Sequence, residues 1–410
     1  VRIEVINTGT ELLLGKVINT HAAFFGNELF KIGLRIGRQT TIPDGDEIRA
    51  ALLDRFPHAD VILVTGGLGP TSDDITRESV AELLGLSLHR DAEIWEHIQS
   101  FFRSRGREAN AWNERQAMVP EGADALHNPH GTAPGLYVPA MEGRSPHLFL
   151  MPGPPRELRP MFREKVLPKL VSLSGHPAPP FENFKIHGVG ESNIAEIIEP
   201  RLNGIADLEV GYCCRLGEVD VRLIGRRESV EAAAAVVREA FAEDIVTESE
   251  DTIEKVLIAS LSAAGQTLAT AESCTGGLIA STLTDVPGSS AVLLRGYVTY
   301  SNESKAELLG VPAAMIAEHG AVSEPVAAAM ARGALERSRS DHSIAVTGIA
   351  GPGGGTEEKP VGTVYIAIAT RGGGEPLVRR ERFATDRLAF KERTARAALD
   401  LLRRRLRGFV

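Results

Sequence analysis

Two short runs, VILVTGG (61–67) and HLFLMPGPP (147–155), are apolar at almost every position and stop at glycine and proline. A strand with no polar face must be covered on both sides, which excludes a sheet with one wet surface and calls for helices above and below. The chain supplies them. Residues 19–34 place Ala22, Phe25, Leu29 and Ile32 along one side of a helix, with Asn19 or Thr20 available as its cap, and RELRPMFREKVLPKL (156–170) follows the second run. RIEVINTG (2–9) reads as a further strand. This alternation predicts an α/β fold with a parallel sheet and helices on both faces. Ligands of such sheets bind beyond the carboxyl ends of the strands, which here read TGTELLLG (8–15), TGGLGPTSDD (65–74) and PGPPREL (152–158).

A chain of 410 residues is too long for one core, so two or three domains are expected. SGHPAPPFEN (174–183) is a proline-rich break that reads as a linker. Beyond it lies a small α+β unit: strand, turn and helix over 184–202, two strands about a Leu-Gly turn over 208–225, and an alanine-rich helix over 229–245. Its GVGES (188–192) only faintly resembles a glycine-rich nucleic-acid clamp, and a spacer or dimerisation unit is the better reading. A third part opens with the amphipathic TIEKVLIASLSAAG (252–265), whose Ile253, Val256, Leu257 and Leu261 face one way. Strands follow near 267–271, 291–299, 343–347 and 363–370, then an arginine-rich helix over 387–407. The predicted domains are therefore 1–172, 180–248 and 251–410.

The formal charge of −9 argues against a general nucleic-acid-binding role, which needs a basic face. The cysteines, Cys213, Cys214 and Cys274, form no disulfide framework, and a reducing cytoplasm is the expected setting. The first residues read as a strand rather than a signal peptide, and no apolar run is long enough to span a bilayer, so no membrane partner is expected. A homodimer is the expected assembly.

In the third part, glycine-rich backbone follows a strand twice, at SCTGG (273–277) and VTGIAGPGGG (346–355). Such backbone presents N–H groups to an anion, although the second loop lacks the Gly-Lys-Ser/Thr ending of a nucleoside-triphosphate loop. A serine nucleophile at 273 needs a base. His319 and His342 sit in ordinary loop contexts. Lys305, in GYVTYSNESKAELLG (296–310), serves if burial lowers its pKa. Spacing alone favours an exposed lysine on a first helical turn. Cys274, at the same helix start, competes as nucleophile.

ATAESCTGGLIASTLTDVPGSS (269–290), GYVTYSNESKAELLGV (296–311), HGAVSEPVAAAMARGA (319–334) and AVTGIAGPGGGTEEKPVGTVYIA (345–367) together resemble the C-terminal domain of the CinA family, the nicotinamide mononucleotide (NMN) deamidases. The resemblance implies hydrolysis of the NMN carboxamide to nicotinic acid mononucleotide and ammonia, without a cofactor. It implies a catalytic pair at Ser273 and Lys305, with Tyr300 assisting proton transfer. Thr275 and Gly276 would lie against the substrate, N–H groups of the following helix turn would hold the oxyanion, and Thr347, Gly348 and Gly351 would lie near the nucleotide. Arg387, in FATDRLAFKERTA (383–395), would bind its phosphate.

VTGGLGPTSDDITRE (64–78) is the densest motif of the first part. Gly66, Gly67 and Gly69 permit close approach to an anion, and Thr71 and Ser72 can donate to phosphate. Asp73 and Asp74 can hold a divalent cation through oxygen, while Asp74 serves equally well as a helix N-cap. Glu11 meets the same rim if the strands are neighbours, and Asn113 with NPHGTAPGLYVPA (128–140) can complete it. His127 and His130 have zinc-like spacing without partners and read as loop residues. With PGPPREL (152–158), these segments resemble the molybdopterin-binding fold in the version fused at the front of CinA proteins. That implies cleavage of ADP-ribose to AMP and ribose 5-phosphate with Mg2+, Co2+ or Mn2+, by a route without a Nudix box. The same resemblance makes the middle unit KH-like. Two rivals stand beside this bifunctional hydrolase: a C-terminal deamidase whose first domain only binds nucleotide or pterin, and a competence-associated scaffold.

Overall fold

Val61–Thr65 is a strand with every residue buried, and His147–Met151 runs parallel beside it. The computed structural model describes residues 1–175 and 179–410, so the break expected over 174–183 lies partly outside the described residues. The chain forms two compact units, Val1–Pro179 and Pro180–Val410.

The strands of the first unit are β1 (Ile3–Thr8), β2 (Ile36–Ile42), β3 (Val61–Thr65), β4 (Leu88–Arg90), β5 (Met118–Pro120), β6 (Asp124–Leu126), β7 (Gly135–Val138) and β8 (His147–Met151). Its main sheet runs β2-β1-β3-β8-β7-β6, with β4 and β5 paired apart. The period of two splits each buried strand between two cores. Ile3, Val5, Val61, Leu63, Phe149 and Met151 enter one core, and Ile6, Ile62, Val64, Leu148 and Leu150 enter the other. The sheet is mixed rather than parallel, which corrects the expectation. β2, β1, β3 and β8 are parallel, but β8, β7 and β6 alternate in direction. The connections 127–134 and 139–146 are too short for a crossover, and only antiparallel neighbours can be joined that way.

The second unit holds two sheets. β9 (Phe181–His187), β10 (Leu208–Arg215), β11 (Glu218–Gly225) and β12 (Ile245–Thr247) form an antiparallel sheet in the order β10-β11-β9-β12. Phe184, Ile186, Val219, Val221 and Leu223 point to one face, where the helices Glu191–Leu202 and Arg227–Ala240 close a core. Alternation turns Lys185, His187, Glu218 and Asp220 to the other face, and all four are buried. The C-terminal helix Arg387–Leu406 meets this part of the unit. Arg396 donates to Leu216 O and pairs with Glu218, while the buried Arg403 donates to Ile245 O and Glu243 O.

The second sheet is β14-β13-β15-β16-β17, from β13 (Leu268–Glu272), β14 (Leu293–Val298), β15 (His342–Gly348), β16 (Thr363–Thr370) and β17 (Leu377–Arg382). β13 is parallel to both neighbours, and β16 and β17 turn antiparallel. β17 escapes the sequence pattern because its LVRRER lies half in solvent and lacks an apolar run. In both α/β sheets a central strand, β1 or β13, has the chain leaving to opposite sides. The carboxyl ends of β1 and β13 therefore sit at crevices where the topology switches.

Candidate active sites

Ser273 is the first residue past β13 and is 8 % exposed. A sharp turn follows, with Gly276 and Gly277 at φ +63° and +94°, a backbone region costly for any residue with a Cβ. The helix Leu278–Thr284 then begins. Glu272 holds this turn. Its carboxylate, 1 % exposed, accepts from Thr275 Oγ1 at 2.7 Å, Gly277 N and Ile279 N at 3.0 Å, and Ala280 N at 2.9 Å. A buried anion on the positive end of a helix is a strong arrangement. It also uses up the helix-turn N–H groups expected to hold an oxyanion. Gly276 N is spent on Ser273 O. Cys274 N and Thr275 N are not engaged by Glu272; both face the Cys274 sulfur.

Glu272→Ala strands four donors and removes the charge that neutralises them. It should lower the unfolding free energy of this unit by about 3–5 kcal/mol, and Glu272→Gln by less. Urea titration of the full chain reads this directly, and an unchanged midpoint would show that the carboxylate does not hold the turn.

Lys305 stands on the helix Asn302–Leu309, which Ser301 opens with a capping box to Ser304. The lysine is not on the surface: it is 1 % exposed. Its Nζ lies 3.1 Å from Ser273 Oγ and donates to Thr299 O at 2.8 Å, with Tyr300 O and Ser301 O at 3.5 Å. Among the described residues no carboxylate pairs with it. Burial lowers its pKa from the ordinary 10.5 and outweighs the nearby charge of Glu303, which favours the ammonium. Cys274 points into the core beside Ile279 and Leu283, and burial pushes its thiol up to about 12. At neutral pH that sulfur keeps its proton, the opposite of a thiol activated at a helix start.

The remaining predicted residues fall into two groups. Arg387 donates from Nη1 to Gly351 O at 2.8 Å and from Nη2 to the Tyr300 hydroxyl at 2.9 Å, so it ties the 346–355 loop to Tyr300. Tyr300, 62 % exposed, therefore belongs with the arginine; its hydroxyl bonds neither Ser273 nor Lys305, contrary to a proton-transfer role. Thr347, Gly348 and Thr275 are structural. Thr347 Oγ1 donates to Ala321 O, a Cβ at Gly348 would press on Thr363 O at 2.9 Å, and Thr275 is bonded to Glu272. His342 lies at the far end of β15, bonded to Thr370 and Gln266. Lys391 was not foreseen. Its Nζ is 3.9 Å from where a Cβ at Gly276 would stand, and its spacing of four from Arg387 was the available signal.

In the first unit, the ends of β1, β3 and β8 surround a cavity of about 390 Å³. Gly66, Gly67 and Gly69 line it, and a Cβ on them would strike Thr8, Thr76 and Asp74 respectively. Glu11, Asp44, Asp73, Asp74 and Glu157 also line it, and among the described residues no Lys, Arg or His does. Asp44 lies in no quoted motif, and Glu157 lies in PGPPREL (152–158) without having been singled out. Asp74 is not an N-cap: the helix Thr76–Leu84 is preceded by Ile75 without a side-chain cap, and Asp74 instead accepts from Thr71 N and Thr71 Oγ1. Thr71 thus spends its hydroxyl on the loop, Ser72 stands outside the cavity lining, and Arg115 clamps the loop through Thr71 O at 2.9 Å. Asn113 also lies outside the lining, since it closes a capping box with Asn110; Gln116 lines the cavity in its place. His127 packs edge-on to His97.

Among the described residues no three His, Cys, Asp or Glu side chains converge on a point that would hold a metal ion. The donor chemistry nevertheless fits a divalent ion shared with substrate, because Mg2+ is commonly bound by one or two carboxylates plus phosphate oxygens. A bare diphosphate would be repelled by five carboxylates. The buried Thr8 hydroxyl, without a partner among the described residues, adds a donor at the same rim.

Three family models match the chain in order: "Probable molybdopterin binding domain" over residues 4–171, "Damage-inducible protein CinA KH domain" over 182–258 and "CinA C-terminal domain" over 250–406. A "CinA-like protein" of Akkermansia muciniphila is 47% identical over 97% of this chain and 96% of its own length. A protein of Caldicellulosiruptor bescii bearing the name "Putative competence-damage inducible protein" is 44% identical over 98% of each chain. Another of that name, from Moorella thermoacetica, is 44% identical over 99% of each. Among the described residues no helix is long and apolar enough to cross a membrane.

Proposed function

The chain belongs to the CinA family, with a molybdopterin-binding-like domain, a KH-like domain and a CinA C-terminal domain, and from that premise we propose a hydrolase with two nucleotide sites. The C-terminal site deamidates NMN. The observation that carries this reading is the 3.1 Å contact between Ser273 Oγ and a buried Lys305 whose pKa is lowered.

Ser273 Oγ attacks the carboxamide carbon while its proton passes to Lys305 Nζ. The carbonyl electron pair moves to oxygen, which the turn after Ser273 would meet with Cys274 N or Thr275 N in place of the Cys274 sulfur they now face. Collapse breaks the C–N bond, and Lys305 returns the proton to the departing nitrogen, which leaves as ammonia. Water attacks the acyl-serine with Lys305 again as base, releasing the carboxylate and restoring Ser273. Arg387 and Lys391 hold the mononucleotide phosphate.

Lys305 must be neutral to take the proton. Ammonia release from NMN by the full chain should therefore rise with pH, with a midpoint below the ordinary lysine value of 10.5, because below the folded pKa the ammonium is retained. A midpoint at or above 10.5 would exclude a buried Lys305 as the base.

The first unit cleaves ADP-ribose to AMP and ribose 5-phosphate. A divalent ion, when bound, neutralises the diphosphate and polarises phosphorus. Glu11 and Asp73 would hold that ion, the Gly66–Gly69 backbone approaches the phosphates, and Asp74 keeps the loop in shape through Thr71. A binding-only first unit is the second reading, favoured by the lack of three converging ligands among the described residues.

A further inference from the structure

A cavity of about 340 Å³ in the Pro180–Val410 unit lies where the Gly188–Gly190 turn meets β17 and the C-terminal helix. It is distinct from the Ser273 centre. On the C-terminal helix Arg387 and Lys391 share one side, whereas Arg393 and Ala397, which line this cavity, share another; Lys391 and Arg393 point about 160° apart.

The character of the cavity is cationic. Arg382 and Arg393 line it, and neither has a carboxylate partner among the described residues; Arg393 lies over the Phe383 ring at 5.8 Å. Arg215 lines it too, paired with Asp220 at 2.9 Å. The one lining carboxylate, Glu218, is already held by Arg396 at 3.0 Å and Lys185 at 3.6 Å. The twelve-residue helix Glu191–Leu202 starts at this wall. Its N-cap is Gly190, with no side-chain cap, so its first N–H groups have no side-chain acceptor.

A separate observation points to a ligand. The His187 imidazole is 7 % exposed, lines the cavity, and has no hydrogen-bond partner among the described residues. Burial lowers the His187 pKa, so the ring is neutral at pH 7 and has an N–H to offer a bound group.

We infer that this cavity binds the phosphate group of a small phosphorylated molecule, through the Glu191–Leu202 helix start, Arg382, Arg393 and His187. The volume suits a mononucleotide, and Phe383 offers a flat apolar wall beside the arginines. The inference does not depend on either proposed activity.

AMP titrated calorimetrically into the full chain tests it, with inorganic phosphate as second probe. Arg382→Ser/Arg393→Ser should lose one binding event, or weaken it at least tenfold, while NMN turnover is kept. Gly190→Asp separates binding from folding. Gly190 has φ −74° and ψ 150°, and a Cβ there meets nothing within 4 Å, so aspartate fits, caps the helix and occupies the phosphate seat. It should hold or raise the melting temperature and abolish the same event. Isotherms unchanged in both variants overturn the inference. So does a single-stranded oligonucleotide that binds more tightly than AMP and is lost in the same variants, since that would make the cavity a nucleic-acid clamp.

Discussion

Ser273→Ala and Lys305→Ala should each abolish ammonia release from NMN, a loss of at least ~10³-fold, or about 4 kcal/mol of transition-state stabilisation. The two act as a unit, because a serine without its base is a poor nucleophile at neutral pH. The double variant should therefore be little worse than either single one. Lys305→Arg should not rescue: a guanidinium does not release its proton in this range, and its fork does not fit the place of one Nζ against Thr299 O. Lys305→Met keeps most of the buried volume and separates lost chemistry from lost packing. Cys274→Ala should retain most of the activity, since a thiol pushed to about 12 is protonated in the assay and only fills space beside Ile279. Ammonia release that survives Ser273→Ala but vanishes with Cys274→Ala would transfer the role to the sulfur.

The reason this pair was half legible lies in burial. The turn was plain in the sequence, because a short apolar strand running into Ser-Cys-Thr-Gly-Gly has few other readings. Lys305 was legible only through the family resemblance: a lysine on a first helical turn is ordinarily solvated, and no local pattern reveals that Thr299, Tyr300 and Ser301 curl their carbonyls over it. Glu272 was hidden for a similar reason. It reads as the last residue of a strand, and its role depends on the helix start folding back over its carboxylate. Tertiary packing set these roles, as it set the antiparallel edges of both α/β sheets. Where the prediction rested on contiguous apolar runs, as for β3 and β8, strand and burial were both readable. Where it rested on polar residues in a loop, as for Ser72, Thr71 and Asn113, the side chains turned out to serve the loop itself or to lie off the cavity. Loop residues satisfy their own backbone first, and sequence does not distinguish that from binding.

ADP-ribose cleavage should vanish when divalent ions are chelated and return with Mg2+, Mn2+ or Co2+, while ammonia release from NMN is untouched. The charge of the first cavity sets the sign of a sharper test. With Glu11, Asp44, Asp73, Asp74 and Glu157 around it and no lining cation, the metal-free cavity opposes a diphosphate. Asp73→Asn removes one of those charges at an exposed carboxylate, and the amide oxygen can still accept from Thr71. In metal-free protein it should therefore bind ADP-ribose more tightly than the unaltered chain. With metal present, it should turn over at least ~10²-fold more slowly, because a ligand to the ion is gone. Asp74→Asn behaves differently, since its carboxylate accepts from both Thr71 N and Thr71 Oγ1: it should loosen the 71–74 loop and weaken binding with or without metal. Asp73→Asn/Asp74→Asn should lose cleavage while deamidation stays intact. Cleavage that persists in that double variant would put the ion elsewhere. Binding without cleavage under every metal condition would instead make the first unit a nucleotide-binding module, leaving Ser273 and Lys305 as the sole catalytic centre.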